Sequence, residues 1–378
     1  MRSGVARTDL GAAEVIGIRL MRCAESGEVV GRGLRRWVAA LGLGFTAFGC
    51  AGAGQKMLAV IEGPINDPSN KSLRRSIMAF GLKEFCHQLT THNAPLKLNE
   101  DSPAIGRFFP TTCSERETSD GNLDVTFGGT GYAWTNVTKK LSFSLNGSIE
   151  YDQDFLMDGS TLYAYFRTKK LQSSDFHAQI IEQPVANLLN QMTPMADTFG
   201  RQLLNAQLAQ GFTVIREANG TADFSVGTVE KGKKPVHPYE VRGEGRVTYE
   251  NLRTEVHQNQ RDFIGPIEVE DSKRALYIEG TVDGGQAIDV LFMTRNDGDA
   301  SLKLYLDFPM TGPLSGNPIA SDVMQPGAPF KKIVPVPKGI YYVVLDNTST
   351  AGQVAPPQNP LDDRAAAVSY VAQIGEVP

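Results

Sequence analysis

Leu141-Ser-Phe143-Ser-Leu145-Asn-Gly147-Ser-Ile149-Glu-Tyr151 keeps one phase of a two-residue period across eleven positions. That period is a strand's, because successive side chains leave a strand on opposite faces. Asn146-Gly147 is also a favoured two-residue hairpin turn, which would split the stretch into two short strands. The unbroken phase points instead to one long strand, bent where Gly147 lacks a side chain.

Strand patterns continue on both sides. Leu123, Val125 and Phe127 alternate with polar residues, and Gly128-Gly129-Thr130-Gly131 reads as a turn. Leu162 to Phe166 is a second aromatic-rich strand. Helical patterns flank this meander. Asp67-Pro68-Ser69-Asn70 offers N-cap chemistry, and apolar residues at 73, 77, 78, 80, 82, 85 and 89 share one helical face. Ser173-Ser174-Asp175 reads as the start of another helix carrying Ile180, Ile181, Val185, Leu188, Leu189 and Met192. Thr193-Pro194 then opens a segment that runs to Gln210 and stops at Gly211. Strands Phe212 to Glu217 and Thr221 to Val226 meet at Asn219-Gly220. Residues 67–230 are therefore expected to form an α+β domain, with helices packed on an antiparallel meander. Its element order resembles that of the tubular lipid-binding lipoproteins, which implies an apolar groove. Phe80, Leu82, Phe143 and Phe199 would line it.

Lys231-Gly-Lys-Lys-Pro235-Val-His-Pro238 breaks the composition, so residues 231–242 read as a linker. Beyond it, strands are expected at Arg246–Leu252, Phe263–Val269, Ala275–Val282, Ala287–Thr294, Ser301–Phe308, Phe330–Val336 and Ile340–Asp346. Asn296-Asp297-Gly298 and Asp283-Gly284-Gly285 read as hairpin turns, and Pro309 to Pro329 as a long loop. A last strand returns between Ala365 and Ile374. One buried face per strand predicts a β-sandwich over 243–378. Lys338-Gly-Ile-Tyr-Tyr-Val-Val-Leu-Asp-Asn-Thr-Ser349 resembles a late strand of the bacterial pre-peptidase-type jelly rolls, which implies a jelly-roll-like sandwich.

Ahead of both domains, Arg32, Arg35 and Arg36 precede an apolar run from Trp37 to Phe48. This is the order of a secretory signal, and the run is too short to span a bilayer. Residues 1–49 read as a leader, with Met21 the more natural start. Thr46-Ala47-Phe48-Gly49-Cys50 resembles the lipobox of bacterial lipoproteins. The resemblance implies that Cys50 is acylated and becomes the first residue of the mature chain. Ala51, rather than Asp, then implies sorting to the outer membrane. Residues 50–66 would form the tether.

The 378-residue chain carries a formal net charge of −5. The leader holds seven Lys/Arg against four Asp/Glu, so its removal makes the body more acidic. No long basic tract remains, which argues against nucleic acid and against electrostatic docking on anionic lipid. Of four cysteines, Cys23 falls in the leader and Cys50 in the lipobox. Cys86 and Cys113 remain as an even pair in an oxidising compartment, and a disulfide is expected. A metal site built from Cys86, His87, His92 and Cys113 is the competing reading, disfavoured because His87 and His92 do not share a helical face with Cys86.

Motifs for catalysis are lacking. The five histidines show no His-x-His or His-Glu-x-x-His spacing, and there is no nucleophile elbow, phosphate loop or dinucleotide fingerprint. No catalytic residue, metal ligand or cofactor site is assigned. Tyr132, Trp134, Tyr163 and Tyr165 form a possible binding strip if they face outward, and belong to the core if they do not. The expectation is a non-enzymatic envelope lipoprotein, anchored through Cys50, with a binding or structural role. Its partner would be another envelope protein or an apolar ligand. The alternatives are a lipid carrier built on the first domain and a secreted hydrolase using convergent carboxylates.

Overall fold

The computed structural model describes residues 62–70, 73–74, 86, 90–98, 102–136, 138–182, 211–216, 222–226, 230–232, 246–284, 286–356 and 365–378. The leader, the lipobox with Cys50, most of the 73–89 segment, the 193–210 segment and most of the linker lie outside them.

The first half is a meander: β1 (Ala94–Lys97), β2 (Ala104–Glu117), β3 (Leu123–Thr135), β4 (Lys139–Asp158), β5 (Thr161–Ile181), β6 (Phe212–Arg216) and β7 (Ala222–Val226). The 141–151 stretch is one continuous strand inside the 20-residue β4. Gly147 is needed there because a Cβ would stand 2.8 Å from the Phe127 ring on β3. Gly128 to Gly131 do not turn the chain as their composition suggested; they lie within β3, paired to both neighbours. A Cβ at Gly131 would sit 2.5 Å from the Arg107 carbonyl and from the Phe143 ring. The glycines thus admit close approach rather than a reversal.

A second correction concerns Ser173 to Ile181. These residues extend β5 along β4, from Ser148↔Ser173 to Leu141↔Ile181, with one register shift between Ser142 and Phe143. The backbone donors and acceptors of β4 give this segment a template that outweighs its local N-cap signal. Helices packed on the meander are therefore not supported: from 94 to 226 every described element is a strand. The remaining helical expectations there fall outside the described residues.

The second half contributes β8 (Val247–Val256), β9 (Gln260–Val269), β10 (Arg274–Asp283), β11 (Ile288–Thr294), β12 (Ala320–Met324), β13 (Phe330–Pro335), β14 (Gly339–Asn347) and β15 (Ala366–Glu376). Between β11 and β12 lies helix α1, Arg295–Asp307, where a strand and a hairpin turn were expected. Thr294 is its N-cap, its side chain accepting from the Asp297 N–H. Gly298, Ser301, Leu302 and Tyr305 are its buried residues, a helical spacing. Leu302, Leu304 and Leu306 mimic a strand's alternation, but the cap and this stripe decide.

Two sheets result. The larger has the order β13-β10-β15-β8-β2-β3-β4-β5-β6-β7, with β1 also on β2; the smaller is β12-β11-β14-β9. The larger sheet runs through both halves, joined where Ala104 of β2 pairs in parallel with Thr254 of β8. A sandwich core lies between the two sheets. Leu252, Leu276, Ile278 and Tyr370 from one meet Ile264, Val290, Phe292 and Val343 from the other. The meander has its own core, with Phe108, Phe127, Phe143 and Phe176 among its members. A third cluster joins Phe109 and Tyr132 of the meander to Phe263, Leu291, Tyr342 and helix α1.

Candidate functional site

The chemistry-bearing side chains converge where the meander meets the sandwich. Arg107 lies in the part of β2 where every residue is buried, and it is itself fully buried. Its Nε and Nη2 donate to Oδ1 and Oδ2 of Asp262 at 2.5 and 2.8 Å. Nη1 donates to both oxygens of Glu250, at 2.9 and 3.0 Å, and to Asn93 Oδ1 at 2.5 Å. Nη2 also reaches the Tyr370 hydroxyl at 2.6 Å. Tyr370 donates to Glu250, and Tyr132 donates to Asp262 while accepting from the Phe263 N–H. Burial works against the guanidinium's charge, but Asp262 and Glu250 outweigh it and hold its pKa well above the usual arginine value. Burial foremost raises both tyrosines, so they remain neutral donors.

Beside this network, Lys140 of β4 is buried and crosses to α1. Its Nζ donates to the carbonyls of Tyr305 and Phe308 at 2.9 and 2.7 Å and lies 4.2 Å from the Tyr305 ring centroid. The last turn of α1 has no basic residue of its own, so a strand lysine meets the negative end of the helix dipole. Burial brings the Lys140 pKa down to about 8. Glu182 accepts from the Lys140 N–H and from Gln260, and burial raises its pKa.

A third group fastens the loops over the smaller sheet. Arg261 pairs with Asp346 and donates to Gly312 O and Thr350 Oγ1 at 2.8 and 2.9 Å. Burial pushes the Asp346 carboxyl up to about 6, against the pull of Arg261. Asp289, also raised by burial, accepts from the N–H groups of Gln353 and Val354.

A small cleft opens along the same seam, lined among others by Tyr132, Trp134, Glu255, His257, Arg261 and Asp262. Trp134 stacks on His257 with centroids 3.3 Å apart, and Lys139 lies 5.1 Å from the Trp134 ring centroid. His257 Nε2 is 3.8 Å from the Glu255 carboxylate.

The four aromatics singled out in the sequence do not make one surface. Tyr132 and Trp134 sit at the seam, Tyr132 buried and hydrogen-bonded. Tyr163 and Tyr165 are buried with Ile215 in a separate cluster, and the Tyr163 hydroxyl accepts from the Gly232 N–H. Tyr132, Tyr163 and Tyr165 are thus core residues, whereas Trp134 is half-buried at the cleft. Cys86 and Cys113 are bonded to each other, their Cα atoms 5.3 Å apart, which leaves neither thiolate to hold a metal. A carboxylate oxygen of Glu115 lies within 4.8 Å of both sulfurs. Arg107, Lys140, Asp262 and Arg261 went unmarked in the sequence. The one signal was a charge set in the apolar run Ala104-Ile-Gly-Arg-Phe-Phe109.

No family model matches the chain, and no curated protein matches it. Likenesses to solved structures are slight. An exo-β-1,3-galactanase from Phanerochaete chrysosporium, with galactose, is 10% identical over 72% of this chain and 69% of its own, at a TM-score of 0.16. A structure of infectious bursal disease virus, Gt strain, is 8% identical over 75% of this chain and 84% of its own, at 0.17. Such scores bear on neither fold nor chemistry.

Proposed function

We propose that the protein is a bacterial envelope lipoprotein, anchored by acyl chains at Cys50 and sorted to the outer membrane, with a non-enzymatic binding or structural role. The Cys86–Cys113 disulfide carries the reading, because such bonds persist where proteins are exported and are rare in the cytosol. It agrees with the signal-like order of residues 31–50 and with the lipobox resemblance. No helix among the described residues is long and apolar enough to cross a membrane.

The seam supports a structural use of its charges. Asp262 and Glu250 are two convergent carboxylates, the constellation a hydrolase would need. Both are occupied by Arg107 and a tyrosine hydroxyl, so neither offers a lone base or nucleophile. The meander core is filled with aromatic rings, Phe143 lying 4.8 Å from Phe176 and 6.3 Å from Phe108. That packing favours a scaffold over a lipid tunnel. The sandwich is read as jelly-roll-like, from the Lys338–Ser349 stretch that contains β14.

Metabolic labelling with a tagged fatty acid tests the anchor. The wild type should be marked and Cys50→Ser should not; equal labelling removes the anchor.

A further inference from the structure

The last residues of the stretch read as a tether, 62–66, form one helical turn fastened to one end of the molecule. β3 pairs with β4 only as far as Leu123↔Tyr151, whereas β4 continues with β5 to Asp158. The edge of β4 beyond β3 needs another partner, and the Asn66 side chain supplies one at Met157. Asn66 Nδ2 donates to the Met157 carbonyl at 2.8 Å, and its Oδ1 accepts from the Met157 N–H at 2.6 Å, as a neighbouring strand would. Ile65 is 1% exposed, and Arg74 pairs with Asp154. Lys231 pairs with Asp158 at the same tip.

Helix α1 is held at the opposite end of β4 by Lys140. Lys140 and Met157 are separated by about 55 Å along an extended strand. Between Cys50 and Glu62 the chain reaches about 40 Å at full stretch, whatever its conformation. The anchor is therefore tethered from the β4–β5 tip, and its reach falls short of α1. An acidic body has no electrostatic reason to lie along an anionic surface.

Resting on the anchor reading above, we propose that the β4–β5 hairpin tip is the surface facing the lipid, and that the α1 end stands away from it. Leu304, Phe308 and Met310, exposed by 42, 54 and 77%, then point out of the anchoring membrane rather than into it.

Energy transfer from single labels tests this. Ser160→Cys places a donor at the tip and Met310→Cys places one beyond α1, in the full lipidated protein. Cys86 and Cys113 are bonded, and acylated Cys50 is blocked, so each label is unique. The protein is reconstituted in phosphatidylcholine–phosphatidylglycerol vesicles with acceptor-labelled headgroups. Transfer from residue 160 should be several-fold more efficient than from residue 310. Equal or reversed efficiencies in vesicle-bound protein overturn the orientation alone. Wild type that fails to float with vesicles, like Cys50→Ser, overturns the anchor and the orientation together.

Discussion

Arg107 shows what a single side chain costs and holds at the seam. Its charge is out of water and is balanced by Asp262 and Glu250. Removing one member of such a set leaves uncompensated charge behind. Arg107→Met should lower unfolding free energy by about 3–5 kcal/mol, read from the urea midpoint. Lys140 gives a pH signature. Its folded pKa of about 8 lies below the ordinary 10.5, so the unfolded chain binds the extra proton between those values. Stability from this group should rise as pH increases from 8 towards 10.5, by up to about 3 kcal/mol. The neutral amine still has two N–H bonds for the two carbonyls. Lys140→Met should flatten that rise in a comparison of melting across the window; an unchanged slope would mean another group titrates there. These residues were illegible in the sequence because their partners lie far along the chain: Arg107 meets Tyr370, 263 positions away.

Elements were more legible than contacts. The phase of Leu141 to Tyr151 announced β4, because one period over eleven positions has no helical counterpart. The returning strand near Ala365 and most of the sandwich strands were legible for the same reason. Ser173 to Ile181 misled because Ser-Ser-Asp caps helices locally, while the deciding influence was β4 alongside. At α1 the leucine alternation competed with Thr294 and Asp297. Thr294→Ala should cost about 1 kcal/mol and fray the first turn, measurable by amide exchange of 295–298. Gly147→Ala should cost about 1–3 kcal/mol, because the new methyl meets the packed Phe127 ring. A fully tolerated Gly147→Ala would mean the strand can shift there.

The whole molecule is interlocked more tightly than its composition break implies. β2 pairs with β8, Arg107 bonds Asp262 and Tyr370, and Lys140 holds α1, all across residues 231–242. Cleavage between Lys231 and Pro238 should therefore leave two fragments that co-elute under native conditions and separate only in denaturant. Fragments that part without denaturant would show that the seam is weak.

The position of β15 sets the order in which the molecule can be finished. β15, the most C-terminal of the described strands, lies inside the large sheet, between β10 and β8, and brings the Tyr370 hydroxyl to Arg107. Until residues 366–376 arrive, neither flanking strand has its neighbour and the arginine lacks one of its ligands. The gap between β10 and β8 therefore closes only once this segment is in place, so the sandwich half of the large sheet is completed by a strand distant in sequence from both of its neighbours.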